Sequence, residues 1–156
     1  MVVYGRRFRT GGSTLISNDK TIIGPWVAAK MGIEYSDNNT SLGQIAGSKI
    51  IAGVSYQSWN KASIIASIAV EGLMTPTYLA AIFHYPFIYL GVTKIICQVA
   101  ESNLNSIKLA EKLGFRLEAQ LLDAHPDGSL LIYTMTKEQC RFIGEKYVKR
   151  LRVNES

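Results

Sequence analysis

Between Ser63 and Val99 the hydrophobic period of the chain changes twice, and this stretch limits the available folds more than any other. Ser63 to Val70 is apolar at nearly every position and rich in isoleucine, the pattern of a central strand covered on both faces. Thr75-Pro76-Thr77 reads as a helix start, because threonine caps N–H groups and proline at the first helical position has no donor to leave unpaired. Tyr78, Leu79, Ile82, Phe83 and Phe87 give that helix its buried face, and Pro86 is expected to kink or restart it. Thr93 to Val99 is strand-like again. A strand, a helix and a strand in that order require a crossover, so the two strands are expected to lie parallel.

The flanking segments build outward from this unit. Thr21 to Met31 places Ile22, Ile23, Trp26, Val27 and Met31 on one helical face, with Gly24-Pro25 marking a break or a late start. Leu42 to Ala46, Ile50 to Trp59 and Ser63 to Val70 are three strands linked by tight turns at Gly47-Ser48 and Asn60-Lys61, an antiparallel meander. After Val99, Ser102 or Asn103 caps a helix that ends on Gly114 with Lys112 in its last turn. Phe115 to Leu122 and Leu130 to Met135 are strands around the turn His125-Pro126-Asp127-Gly128. Thr136 with Gln139 forms a capping box for a closing helix through about Lys149.

The fold class is therefore α+β, or mixed α/β: a mainly antiparallel central sheet flanked by helices, with its third and fourth strands forming one parallel pair. Residues 1–17, glycine-rich and basic with a short strand at Val2 to Phe8, are expected as an arm on a single domain over 18–152. At 156 residues such a domain has a core that needs no disulfide. Cys97 and Cys140 share no ligand-like spacing with His84 or His125, so no metal is expected. The longest apolar stretch, Tyr78 to Leu90, is interrupted by His84 and Pro86 and is too short for a bilayer, and no leader-like segment opens the chain, so a cytoplasmic protein is expected. The net charge of +5 comes largely from Arg6, Arg7 and Arg9 and from Lys146, Lys149, Arg150 and Arg152. No groove-reading motif accompanies them, and nucleic acid is not an expected partner.

Chemistry has two candidate locations. A helix beginning just beyond the first strand of a parallel pair offers N–H groups at Thr77, Tyr78 and Leu79 to an anion; alternatively Thr75 merely caps a core helix. Glu71 ends the same strand, where burial would raise its pKa and suit it to a general base; otherwise it is a solvated charge. Glu101 has a similar place at the end of the next strand. His125 carries an imidazole, the group that changes charge near neutral pH, although a turn histidine is often only exposed.

Asn103-x-x-Ser106 followed by Leu113-Gly114-Phe115-Arg116-x-Glu118 resembles a signature segment of the GNAT superfamily of N-acetyltransferases. With Tyr85-Pro86-Phe87, Asp127-Gly128, Tyr133-x-Met135 and Glu138-x-Cys140-Arg141, the wording is similar to small acetyltransferase-like proteins of bacteriophages, over about Trp26 to Phe142. The resemblance implies acetyl-CoA in the wedge between the third and fourth strands, its pantetheine amides on main chain near Ala69, Val70 and Glu71. It implies the pyrophosphate on Thr75, Thr77, Tyr78 and Leu79, and Asn103 holding the cofactor arm or the turn. Ser106 matches the serine of a ribosomal-protein-modifying branch, as thiolate acid or water anchor. The acceptor is then an amine of a protein or small molecule, in host cytoplasm or on a phage particle, and a homo-oligomer stays open. The chain departs from the family in two places: Thr75 to Leu79 lacks its basic or glutamine residue and spaced glycines, and Ala110 stands where many members have tyrosine. The alternative is a catalytically inactive relative serving as a structural or binding protein, or as a modulator of a host protein.

Overall fold

The computed structural model describes residues 8–9 and 14–153. Its elements are β1 (Phe8–Arg9), β2 (Thr14–Ser17), α1 (Lys20–Met31), β3 (Thr40–Ala46), β4 (Lys49–Gln57), β5 (Ser63–Val70), α2 (Pro76–His84), β6 (Lys94–Ala100), α3 (Leu104–Leu113), β7 (Arg116–His125), β8 (Gly128–Thr136) and α4 (Glu145–Val153). The strands form one sheet in the order β1-β2-β3-β4-β5-β6-β8-β7. Only β5 and β6 among these neighbours run parallel, as the α2 crossover requires. The mixed sheet and its single parallel pair are those read from the sequence.

Alternation along the strands divides the core. Leu42, Ala52, Val54, Tyr56, Ile64 and Ala66 face a large apolar cluster built with Tyr78, Phe83 and Phe87, closed by Phe142 stacked on Phe83 at 4.8 Å. The alternate positions meet α1. Gly43 and Gly53 stand opposite each other in the β3–β4 ladder, and their missing side chains make a slot for Ile23 and Val27. A Cβ on Gly43 would lie 2.2 Å from Ile23 Cδ1, and one on Gly53 2.6 Å from Val27 Cγ2. The helix therefore rests almost on the sheet backbone.

Several expectations are corrected. Residues 14–17 of the expected arm form β2, which pairs with β3 and buries Ile16, because Thr14-Leu15-Ile16-Ser17 carries apolar residues at its centre. The strand expected at Val2 to Phe8 lies outside the described residues except for Phe8. α1 runs through Gly24-Pro25 unbroken, capped by Asp19, whose side chain accepts from Thr21 N. Pro86 does restart the helix as expected, in the form of a π-helical turn over Tyr85–Tyr89, with Leu90 N bonding Tyr85 O at 2.9 Å. The Thr136–Gln139 capping box closes only a 3₁₀ turn, Lys137–Gln139, and the last helix waits until Glu145. Cys140 and Phe142, two apart, both turn into the core, a spacing a helix does not provide. β5, in contrast, has no exposed residue and is covered on both faces as read from the sequence, Ile64 and Ala66 in the large cluster and Ala69 against Ile23 and Val27 of α1.

Candidate active site

The β5–β6 ladder holds for three pairs, Ser63↔Lys94, Ile64↔Ile95 and Ile65↔Ile96, and then parts. Beyond it each strand follows its other neighbour: Val70 stays opposite Ala52, and Ala100 opposite Leu130. The gap is a wedge whose two walls carry main-chain groups outside the β5–β6 ladder.

Two recesses open from it. One, of about 310 Å³, is lined by Ala69 and Val70 of β5, by Lys30 and Met31 of α1, and by Asn103, Asn105 and Ser106 at the start of α3. The other, of about 340 Å³, lies toward Gln57, Ser67 and Gln98 and the β7–β8 turn with His125 and Asp127. Met31, Asn103 and Ser106 wall both, so the recesses meet at the foot of α3. Their position follows from local rules: Asn103 caps α3 by accepting from Ser106 N at 3.1 Å, and Gly114 ends it in the left-handed region at φ 103°.

The sequence-derived candidates separate here. Ala69, Val70, Asn103, Ser106 and His125 lie on these walls; Glu71, Thr75, Thr77, Tyr78 and Leu79 line neither recess. His125 Nδ1 accepts from Asp127 N at 3.1 Å, with Asp127 Oδ2 at 3.9 Å. Glu71 is ion-paired to Lys30, with Lys49 at 3.9 Å. The hydrogen bond from Lys30 holds the Glu71 carboxyl below the usual range, against a smaller raising effect of burial. This corrects the expected upward shift, since a lysine, not an apolar wall, is its nearest neighbour. Glu101, exposed, accepts from Gln120.

The start of α2 is closed by its own atoms. Thr75 Oγ1 accepts from Tyr78 N at 3.2 Å, and Leu79 N bonds Thr75 O at 3.0 Å. Gln44, wholly buried where the β3–β4 register slips, accepts from Thr75 N at 3.0 Å and donates to Leu73 O at 2.9 Å. Tyr78 is fully buried, its hydroxyl donating to Leu42 O at 2.8 Å, and burial pushes that phenol up. Cys97 is buried as well, its thiol pushed up to about 12, so it supplies no thiolate nucleophile. Gln44, Gln57, Gln98 and Met31 were not singled out as site residues; the one signal was a glutamine in each of three otherwise apolar strands.

Solved acetyltransferases share this architecture. The chain is similar to the ribosomal-protein-S5-alanine acetyltransferase of Vibrio fischeri, with TM-score 0.63 and 10% identity over 87% of this chain and 99% of that one. A spermidine N-acetyltransferase SpeG chimera from Vibrio cholerae and hSSAT gives TM-score 0.64 and 14% identity over 88% and 99%. Campylobacter jejuni N-acetyltransferase PseH, in complex with acetyl coenzyme A, gives 0.50 and 15% over 65% and 70%. At these identities the likeness is one of fold. No protein-family model and no curated protein matches the sequence.

Proposed function

We propose that this chain is an N-acetyltransferase that moves an acetyl group from the pantetheine thioester of acetyl-CoA to an amine. The observation carrying the reading is the parted parallel pair, whose two recesses share Ser106 and Asn103 as a common wall. The thioester arm fits the recess beside Ala69 and Val70, where the wedge-side main chain can pair with its amides. The diphosphate does not fit the α2 start, whose N–H groups are largely spent.

In the reaction the amine nitrogen bonds the acetyl carbon and the C–S bond breaks. One proton leaves the nitrogen, and the departing sulfur takes up one. Ser106, half-buried between the recesses, is assigned to donate toward that sulfur. His125 is assigned to take the amine proton at Nδ1, giving up the bond that this nitrogen accepts from Asp127 N, with Asp127 Oδ2 at 3.9 Å to face the imidazolium. Asn103 sets the position of Ser106 through the α3 cap. Glu71 stays outside the proton path, because Lys30 favours its charged form.

Among the described residues, the lining of the His125 recess carries one carboxylate, Asp127, and no lysine or arginine. A single ammonium beside a small apolar group suits Met31, Ile33, Ile65 and Leu130 better than a polycation does. The test is acetyl-CoA at millimolar concentration with a panel of monoamines and peptides, following release of thiol. Turnover that falls in both Ser106→Ala and His125→Gln is the expected result. No melting shift with acetyl-CoA and no thiol release would defeat the proposal. A melting shift without thiol release under the whole panel would favour a non-catalytic binding protein.

A further inference from the structure

We infer that the donor site grips the pantetheine thioester and leaves the nucleotide end unheld, so that its donors are acyl-pantetheine thioesters whatever the arm is attached to. The inference rests on the acetyl-transfer reading and narrows its donor class. Four backbone nitrogens, those of Thr75 to Tyr78, would face an anion at the start of α2. Thr75 N is taken by Gln44, Pro76 has no hydrogen, and Tyr78 N is taken by Thr75 Oγ1. Thr77 N is the one that these bonds leave, and a single amide does not hold a diphosphate.

The occupancy is built in. The wholly buried Gln44 fixes both Leu73 O and Thr75 N, so the loop cannot rotate its amides outward without stranding a buried amide side chain. Thr75 Oγ1 occupies the acceptor position that a phosphate oxygen would need. No glycine lies between Leu73 and Leu79 to let a diphosphate approach the backbone. The arm recess, by contrast, is open and lined by Ala69, Val70, Asn103 and Ser106.

Calorimetric titration of the intact protein with acetyl-CoA, S-acetyl-pantetheine and adenosine 3′,5′-bisphosphate tests this. The two thioesters are expected to bind within about tenfold of each other, less than one charge-assisted phosphate bond would add, with the bisphosphate displacing neither. A larger preference for acetyl-CoA overturns the inference while leaving acetyl transfer standing. Binding of neither thioester overturns both. Transfer from an acetylated carrier protein is expected as well, and its absence would overturn the claim that the attachment of the arm is immaterial. Thr75→Gly frees Tyr78 N while keeping a residue that helix caps tolerate, and is expected to raise the preference for acetyl-CoA about fivefold. An unchanged preference in that variant would overturn the role given to the threonine.

Discussion

Glu118 on β7 is bound by Lys94 at 2.6 Å and by the Thr134 hydroxyl at 3.0 Å, and both hold its carboxyl below the ordinary value of 4.5. A carboxyl depressed by folding stabilises the native state above the unfolded-state value and loses that contribution as pH falls through the folded one. Glu118→Gln should therefore lower the melting temperature slightly near neutral pH, and the gap to the parent protein should close in acid below 4.5. Paired thermal melts across that range check it. His125 makes a separate prediction at this scale. His125→Gln should lower kcat/KM for acetyl transfer about 100-fold, while the affinity for the thioester stays the same.

The slot under α1 is the feature of the element scale that mutation reaches most directly. Gly43→Ala would drive a methyl into Ile23, which is wholly buried and cannot swing aside, so a loss of about 1–3 kcal/mol is expected from denaturant unfolding. Since α1 carries Met31 to the wedge, the same variant should weaken thioester binding. Elements governed by neighbouring residues were legible in the sequence: Thr75-Pro76 starts α2, and Asn103 and Gly114 bound α3. Ser63 to Val70 was legible to its last residue. What failed depended on distant atoms. Thr136 and Gln139 satisfy each other's backbone, but burial of Cys140 and Phe142 stops the turn from growing into a helix. Gln44 looked like an ordinary strand residue because its partners, Leu73 and Thr75, lie about thirty positions away.

At the scale of the whole molecule, the parallel pair followed from the α2 crossover, but its parting after Ile65 and Ile96 did not, because separation of strands has no signature in hydrophobic period. Of the candidates named from the sequence, Ala69, Val70, Asn103, Ser106 and His125 line the recesses beside that parting. Native-state hydrogen exchange should show the split: some amides in 66–70 and 97–100 should exchange faster than those at 63–65 and slow when a thioester is added. Uniform protection along β5 would contradict an open wedge. A sheet parted in this way has four edges instead of two, and the inner pair is flanked by Met31 and Leu109 of α1 and α3. A chain that has formed its strands before α1 seats in the glycine slot therefore exposes two extra edges to other copies of itself. Refolding yield should then fall with protein concentration, and fall most steeply in variants that unseat α1.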